Sequence, residues 1–208
     1  MKFTIVLIFG ITIQMLGLAQ TEAVAQEALP SSWQDYVAFH QNAGALGTFT
    51  TEGVTKEMWV GIAPGQKYRN VETSRLSDDG KSIQSSHRME TETGDVISIG
   101  SGMQYWDKNS GKVLSCYSGF DQGKLFTGSS ELTAMDNETK TIRSIYTETS
   151  QGKTTRYKHE TSHPSSNEMR VVNQKESGGE SWTSVSKRVV ELEFAPAPRK
   201  VLPRFRRR

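Results

Sequence analysis

The sequence predicts an all-β fold: an antiparallel up-and-down barrel of about nine to eleven strands, preceded by one short helix. Three observations carry this reading. From Gly47 onward apolar residues recur at every second position, as on a half-buried strand. Turn-forming clusters rich in Gly, Asp and Asn punctuate the chain at near-regular spacing. Between them nothing has the length or the period of a crossover helix, so consecutive strands pair antiparallel. A β-sandwich is the alternative; the barrel is preferred because closure removes exposed edges.

The first 25 of the 208 residues read as an export signal rather than structure. Lys2 gives a positive start, Phe3 to Leu18 is mostly apolar, and Ala23-Val24-Ala25 has the small-x-small pattern of a cleavage site. The apolar run, interrupted by Thr12 and Gln14, falls short of the roughly twenty residues that span a bilayer. The expectation is cleavage near Ala25 and a periplasmic or secreted mature protein. Residues 26–195 then form a single domain long enough to bury a core. The lone cysteine, Cys116, excludes an internal disulfide and is read as a small apolar side chain in a strand.

Ser31 or Ser32 is placed to cap a helix in which Trp33, Tyr36, Val37 and His40 recur on one face, and Gly44 and Gly47 end it. This helix is expected to plug or flank the barrel. The clearest strand sets Ile83, Ser85, His87, Met89 and Thr91 against Gln84, Ser86, Arg88, Glu90 and Glu92. Reversals are expected at Asp78-Asp79-Gly80, Thr93-Gly94-Asp95, Lys108 to Gly111, Asp121-Gln122-Gly123, Asp136-Asn137, Gln151-Gly152, Pro164-Ser165 and Ser177-Gly178-Gly179. Charged residues such as Arg88 and Glu90 on one face disagree with the apolar outer band of a membrane barrel.

The net charge of +2 conceals a division. The first 25 residues are neutral and the last 13 carry +6, which leaves −4 on the body. A negative body offers no clustered cations for nucleic acid. The tail, 196–208, is broken by Pro196, Pro198 and Pro203 and reads as a disordered basic segment suited to weak contact with anionic lipid or envelope polymers.

The pattern a motif search would find is His159-Glu160-Thr161-Ser162-His163, which matches the zinc-protease arrangement. In a helix those histidines stand about 6 Å apart along the axis and share one zinc. Here the flanking residues alternate, are rich in β-formers, and Pro164 disfavours helix at His163. On a strand the two are about 13 Å apart. The match is therefore read as fortuitous, no metal is expected, and no Ser-His-Asp arrangement or acid–base carboxylate pair is distinguishable from spacing. Aromatic residues Trp59, Tyr105, Trp106, Tyr117, Phe126 and Trp182 are placed in strands. Met103 and Tyr105 share a face with Ile97 and Ile99 and are expected inside. The interior candidates for ligand contact are His87, Met89, Met103, Tyr105, Tyr117 and His159.

Three segments carry a resemblance: Ala45-Leu46-Gly47-Thr48-Phe49, then Gly100 to Asp107 with the strand running on to Gly119, and finally residues 182–190. Over roughly residues 30–192 the chain resembles calycin-type barrels, nearest to secreted bacterial domains of unknown function and distantly similar to lipocalins and haem-binding nitrobindins. It departs from their pattern where Gly-x-Trp reads Gly47-Thr48-Phe49 and where Trp106 interrupts the Tyr-Asp pair. The resemblance implies a barrel that binds a small lipophilic or mixed-polarity molecule without transforming it, and the protein is expected to be a monomer. Nitrobindin-like barrels add a remoter implication, haem held by a late-strand histidine such as His159. The alternative function is an envelope interaction or structural protein using its barrel surface or basic tail.

Overall fold

The computed structural model describes residues 28–59 and 61–189. The expected export signal (1–25) and basic tail (196–208) lie outside them. One helix, α1 (Trp33–Ala43), precedes ten strands: β1 (Gly47–Val54), β2 (Lys67–Leu76), β3 (Ser82–Glu90), β4 (Val96–Asp107), β5 (Lys112–Asp121), β6 (Lys124–Asp136), β7 (Thr141–Ser150), β8 (Lys153–Ser165), β9 (Glu168–Lys175) and β10 (Ser181–Arg188). Each strand pairs with the next in sequence, and β1 pairs antiparallel with β10 at Phe49↔Arg188 and Thr50↔Lys187. The sheet is thus a closed up-and-down barrel, and the sandwich alternative is excluded because no edge remains between β1 and β10.

Local chemistry explains the elements. The Ser32 side chain accepts a hydrogen bond from the Asp35 N–H at the start of α1, and Gly44 ends the helix in the left-handed region at φ 69°. Gln122-Gly123 and Gln151-Gly152 close two-residue hairpins with positive φ at both positions, the geometry that matches strand twist. Two expectations need correction. The β8–β9 reversal falls at Ser166-Asn167, not Pro164-Ser165; β8 runs on through a register shift between Ser162 and Ser165, where proline has no N–H for a regular ladder. Trp59 is not in a strand; it belongs to the long β1–β2 connection, residues 55–66.

The two ends of the barrel differ. At the end where β1, β3, β5 and β7 begin, α1 lies as a plug. Trp33, Tyr36, Phe39 and Ala43 pack with Ala45, Ile83, Val113, Leu132, Met135 and Ile142 in one core cluster. Trp33 Nε1 donates to Gly80 O at 2.6 Å, and Tyr36 Oη donates to Gln104 Oε1 at 3.0 Å, so each buried aromatic dipole is satisfied. Arg188 stitches the closure at this end. Its guanidinium donates to the carbonyls of Ser166, Leu46 and Gly44 and lies 4.7 Å from the centre of the Phe49 ring.

The outer wall is laced with cross-strand ion pairs: Lys112–Glu131, Arg143–Glu160, Arg156–Glu176 and Lys187–Glu168. No helix among the described residues is long and apolar enough to cross a membrane.

Candidate functional site

Inward positions along the strands repeat one graded pattern. From the open end to the plug, β3 presents Met89, His87, Ser85 and Ile83; β5 presents Asp121, Tyr117, Ser115 and Val113; β7 presents Glu148, Tyr146, Ser144 and Ile142. β2 contributes Tyr68, Asn70, Glu72 and Ser74 in the same direction. Large polar and aromatic groups therefore surround the open half, serines the waist, and aliphatics the floor beneath which α1 sits. Serines take little volume, and the waist stays unfilled. The result is an internal cavity of about 420 Å³, within the usual range for small-molecule sites.

Glycines let the large rings lie flat along the wall. A Cβ on Gly102 would stand 2.2 Å from Cys116 O and 2.4 Å from the Tyr117 ring, and one on Gly128 would stand 2.4 Å from Tyr146 Oη. Gly100 is crowded in the same way by His87, Tyr117 and Phe126. Inward-facing glycines paired with cross-strand aromatics are a known device for stabilising such positions.

At the open end the β1–β2 connection folds across the mouth. Met58 is buried there, and its carbonyl accepts from Tyr157 Oη at 3.4 Å. Trp59 meets Tyr68 at 5.6 Å and Trp182 at 5.0 Å between ring centres. Gly61 lies against Ser150 and Asp121. Inside the loop, Thr55 Oγ1 donates to Ala63 O and accepts from the Gln66 N–H.

A hydrogen-bonded chain crosses the wall beneath this loop. Tyr117 Oη lies 2.7 Å from His87 Nδ1, His87 Nε2 lies 2.7 Å from Ser98 Oγ, and Ser98 Oγ donates to Asp121 Oδ1 at 2.6 Å. Burial lowers the His87 pKa to about 4, so the ring is neutral at physiological pH. Burial also raises the Asp121 carboxyl, with the Ser98 hydrogen bond opposing. Glu148 is pushed up to about 7 by burial and by the nearby Asp121 charge, against a hydrogen bond from Tyr146 Oη. Glu72 is raised by burial; it retains surface towards the cavity and is otherwise enclosed by protein.

Of the six interior candidates, His87, Met89, Met103, Tyr117 and His159 line the cavity, though Met103 does so from a strand position turned outward, and Tyr105 is a correction. Residues paired across strands share a face, and Met103 stands opposite exposed Cys116, Tyr105 opposite Leu114 and then the ion-paired Glu131. Both residues therefore sit at outward strand positions; Met103 is 44 % exposed while still bordering the cavity. Ile99 is likewise outside at 41 %, whereas Ile97, next to the register shift at Met89/Glu90, is buried. Cys116 is in a strand as expected, but exposed.

Sequence reasoning missed Glu72, Asp121 and Glu148, because spacing alone distinguished no acid–base carboxylate pair. The signal was present for two of them. Glu148 keeps the parity of Ile142, Ser144 and Tyr146, and Glu72 that of Tyr68, Asn70 and Ser74. Asp121 also begins a turn, which hid its second role. The Ser98–His87–Asp121 grouping was invisible as well, because its members come from β4, β3 and β5.

The His159–His163 motif lies on strand β8. His159 Nδ1 is 2.7 Å from Asn173 Oδ1 and its Nε2 is 3.0 Å from Thr161 Oγ1. An axial haem ligand needs one free ring nitrogen, and His159 offers none, so its surroundings do not fit that group. His163 belongs to the plugged end beside Phe49. Among the described residues no three His, Cys, Asp or Glu side chains come together as a metal site.

No protein-family model matches this chain, and no curated protein matches it.

Proposed function

We propose that this protein is an exported, lipocalin-like carrier that holds a small molecule of mixed polarity inside its barrel and releases it unchanged. The observation that carries the reading is the cavity of about 420 Å³, closed at one end by α1 and walled by side chains already fixed in hydrogen bonds. A wall ordered in advance spends little entropy on binding.

The order of the polar chain supports binding over catalysis. In a nucleophilic triad the carboxylate orients the histidine and leaves the serine hydroxyl free to attack. Here Tyr117 occupies Nδ1 of His87, and Asp121 takes the Ser98 hydroxyl. That arrangement positions the Tyr117 ring rather than activating Ser98. Export rests on residues 1–25, and weak contact with anionic envelope polymers or lipid on the basic tail.

One observation favours the envelope-interaction alternative. Ile99, Phe120 and Leu125 stand side by side in register on the outer wall, exposed at 41 %, 52 % and 59 %. Adjacent exposed apolar residues of this size mark contact surfaces.

Native mass spectrometry of the protein purified from its source distinguishes the two. A reproducible extra mass, released on denaturation and lost when Ser115 and Ser130 are replaced by leucine, is the expected result for a carrier. An interior that admits neither a co-purified molecule nor a small neutral fluorophore overturns the carrier reading.

A further inference from the structure

We propose that the molecule this barrel accepts is an organic cation: a protonated amine on a compact apolar body, its nitrogen held at Glu72 in a cavity that Asp121 and Glu148 also make acidic. This deepens the carrier reading above and rests on it.

The first argument is charge balance. Three carboxylates line the cavity, and among the described residues no lysine or arginine does. All four histidines of the chain line it too. Burial lowers each of their pKa values, so they supply no counter-charge at neutral pH. The outer wall behaves in the opposite way, with Glu90, Glu131, Glu160, Glu168 and Glu176 each paired to a lysine or arginine. Unpaired carboxylates in a low-dielectric interior are costly unless they are protonated or meet a cation.

The second argument is unmet hydrogen-bonding capacity. Glu72 makes no hydrogen bond or ion pair with the described residues, its pKa being raised by burial alone. Two positions along the same inward face, Asn70 Oδ1 is buried without a partner. Both residues line the cavity, where Glu72 offers its free acceptors and Asn70 marks the wall behind it as short of donors. An ammonium carries three N–H donors and no acceptor, which is the complement of this wall.

The third is position. Asp121 and Glu148 are close enough for the Asp121 charge to raise Glu148, and after burial both raise the Tyr146 hydroxyl; Glu72 stands apart from them and, after burial, raises the Tyr117 hydroxyl. Tyr117 and Glu148 flank Gly128 in register, and Tyr146 lies over that glycine. Spread over β2, β5 and β7, these groups do not form a metal site, but they surround a space of organic-molecule size. Towards the mouth, Trp59, Tyr68 and Trp182 offer aromatic surface to the apolar body and the charge.

The test titrates the full chain by calorimetry with arylalkyl amines of graded length, each set against its matched alcohol and carboxylate. At pH 8 the best amine is expected to bind at least tenfold more tightly than its alcohol, and the carboxylate not at all. Glu72→Gln is expected to cost the amine about tenfold while the alcohol is unaffected, a split that misfolding does not produce. The comparison among ligands stands by itself should that variant fail to fold. Equal binding of amine and alcohol overturns the cation and leaves the carrier reading intact. Binding by no member of the series overturns the cation as well, and the carrier reading falls with it if the interior also excludes a small neutral fluorophore.

Discussion

The two ends of this barrel handle burial in opposite ways. At the plugged end α1 brings Trp33, Tyr36 and Phe39 onto Ile83, Val113, Leu132 and Ile142, and apolar surface meets apolar surface. At the open end the same strands carry Glu72, His87, Asp121, Tyr146 and Glu148 inward, where they cost solvation free energy that packing does not return. The first arrangement is one a domain adopts for stability. The second fits the proposed carrier role, since carboxylates enclosed without cations do not serve stability. Truncating the apolar contacts of the plug and neutralising the carboxylates of the open end should therefore move stability in opposite directions.

The largest effect is expected at the plug. Phe39→Ala removes a ring that is 3 % exposed and should cost about 3–5 kcal/mol in chemical denaturation. A loss below about 1 kcal/mol would mean that α1 merely rests on the barrel. Arg188→Ala, which orphans three carbonyls and uncovers Phe49, should cost about 2–4 kcal/mol and loosen the β1–β10 seam, read as faster amide exchange at Thr48 and Thr50.

Gly102→Ala tests the wall. Its Cβ would stand 2.2 Å from a backbone oxygen of β5, so about 1–3 kcal/mol of stability should be lost along with the near-ultraviolet signal of Tyr117.

The open end gives the opposite sign. Burial and the nearby Asp121 charge raise the folded pKa of Glu148 to about 7, against an ordinary value of 4.5. Between those values the unfolded chain releases a proton that the folded chain retains, so this group's penalty is absent below pH 4.5 and grows as pH rises through 7. Glu148→Gln should therefore stabilise the protein at pH 8, by about 1–3 kcal/mol, and change little at pH 4. Equal effects at both pH values would place the carboxyl in water.

The smallest effect lies at the inner edge of the plug. His40 is buried with both ring nitrogens unpartnered, and burial, helped by nearby His163, lowers its pKa to about 3. Unfolded histidine takes up a proton near pH 6.5, so stability falls as pH drops from there towards 3. His40→Phe should flatten that acid limb and add about 1 kcal/mol at neutral pH.

The strand alternation, the turn clusters and the capped helix were legible because each is a local property. Ile83, Ser85, His87 and Met89 announce a face by themselves, and Gln151-Gly152 announces a hairpin. β4 shows where this stops. Its apolar parity, Ile97, Ile99, Met103 and Tyr105, looks like a core face, yet Gly100 and Gly102 point inward. Rings from neighbouring strands, His87, Tyr117 and Phe126, need the room that only glycine leaves, and beyond the register shift that keeps Ile97 buried, Ile99, Met103 and Tyr105 take the outward positions. Hydrophobicity within one strand cannot register a demand made by another.

The sequence by itself determined the class of fold, the order and approximate number of its strands, the helix and its caps, because these follow from backbone propensity and side-chain period. Only the tertiary structure decided that β1 meets β10, which face of β4 looks inward, and that Glu72, Asp121 and Glu148 converge on one cavity. Closure sets the register between strands distant in sequence, and register decides which side chains share an interior. That long-range geometry turned residues that resemble turn and surface carboxylates into the most distinctive feature of the site.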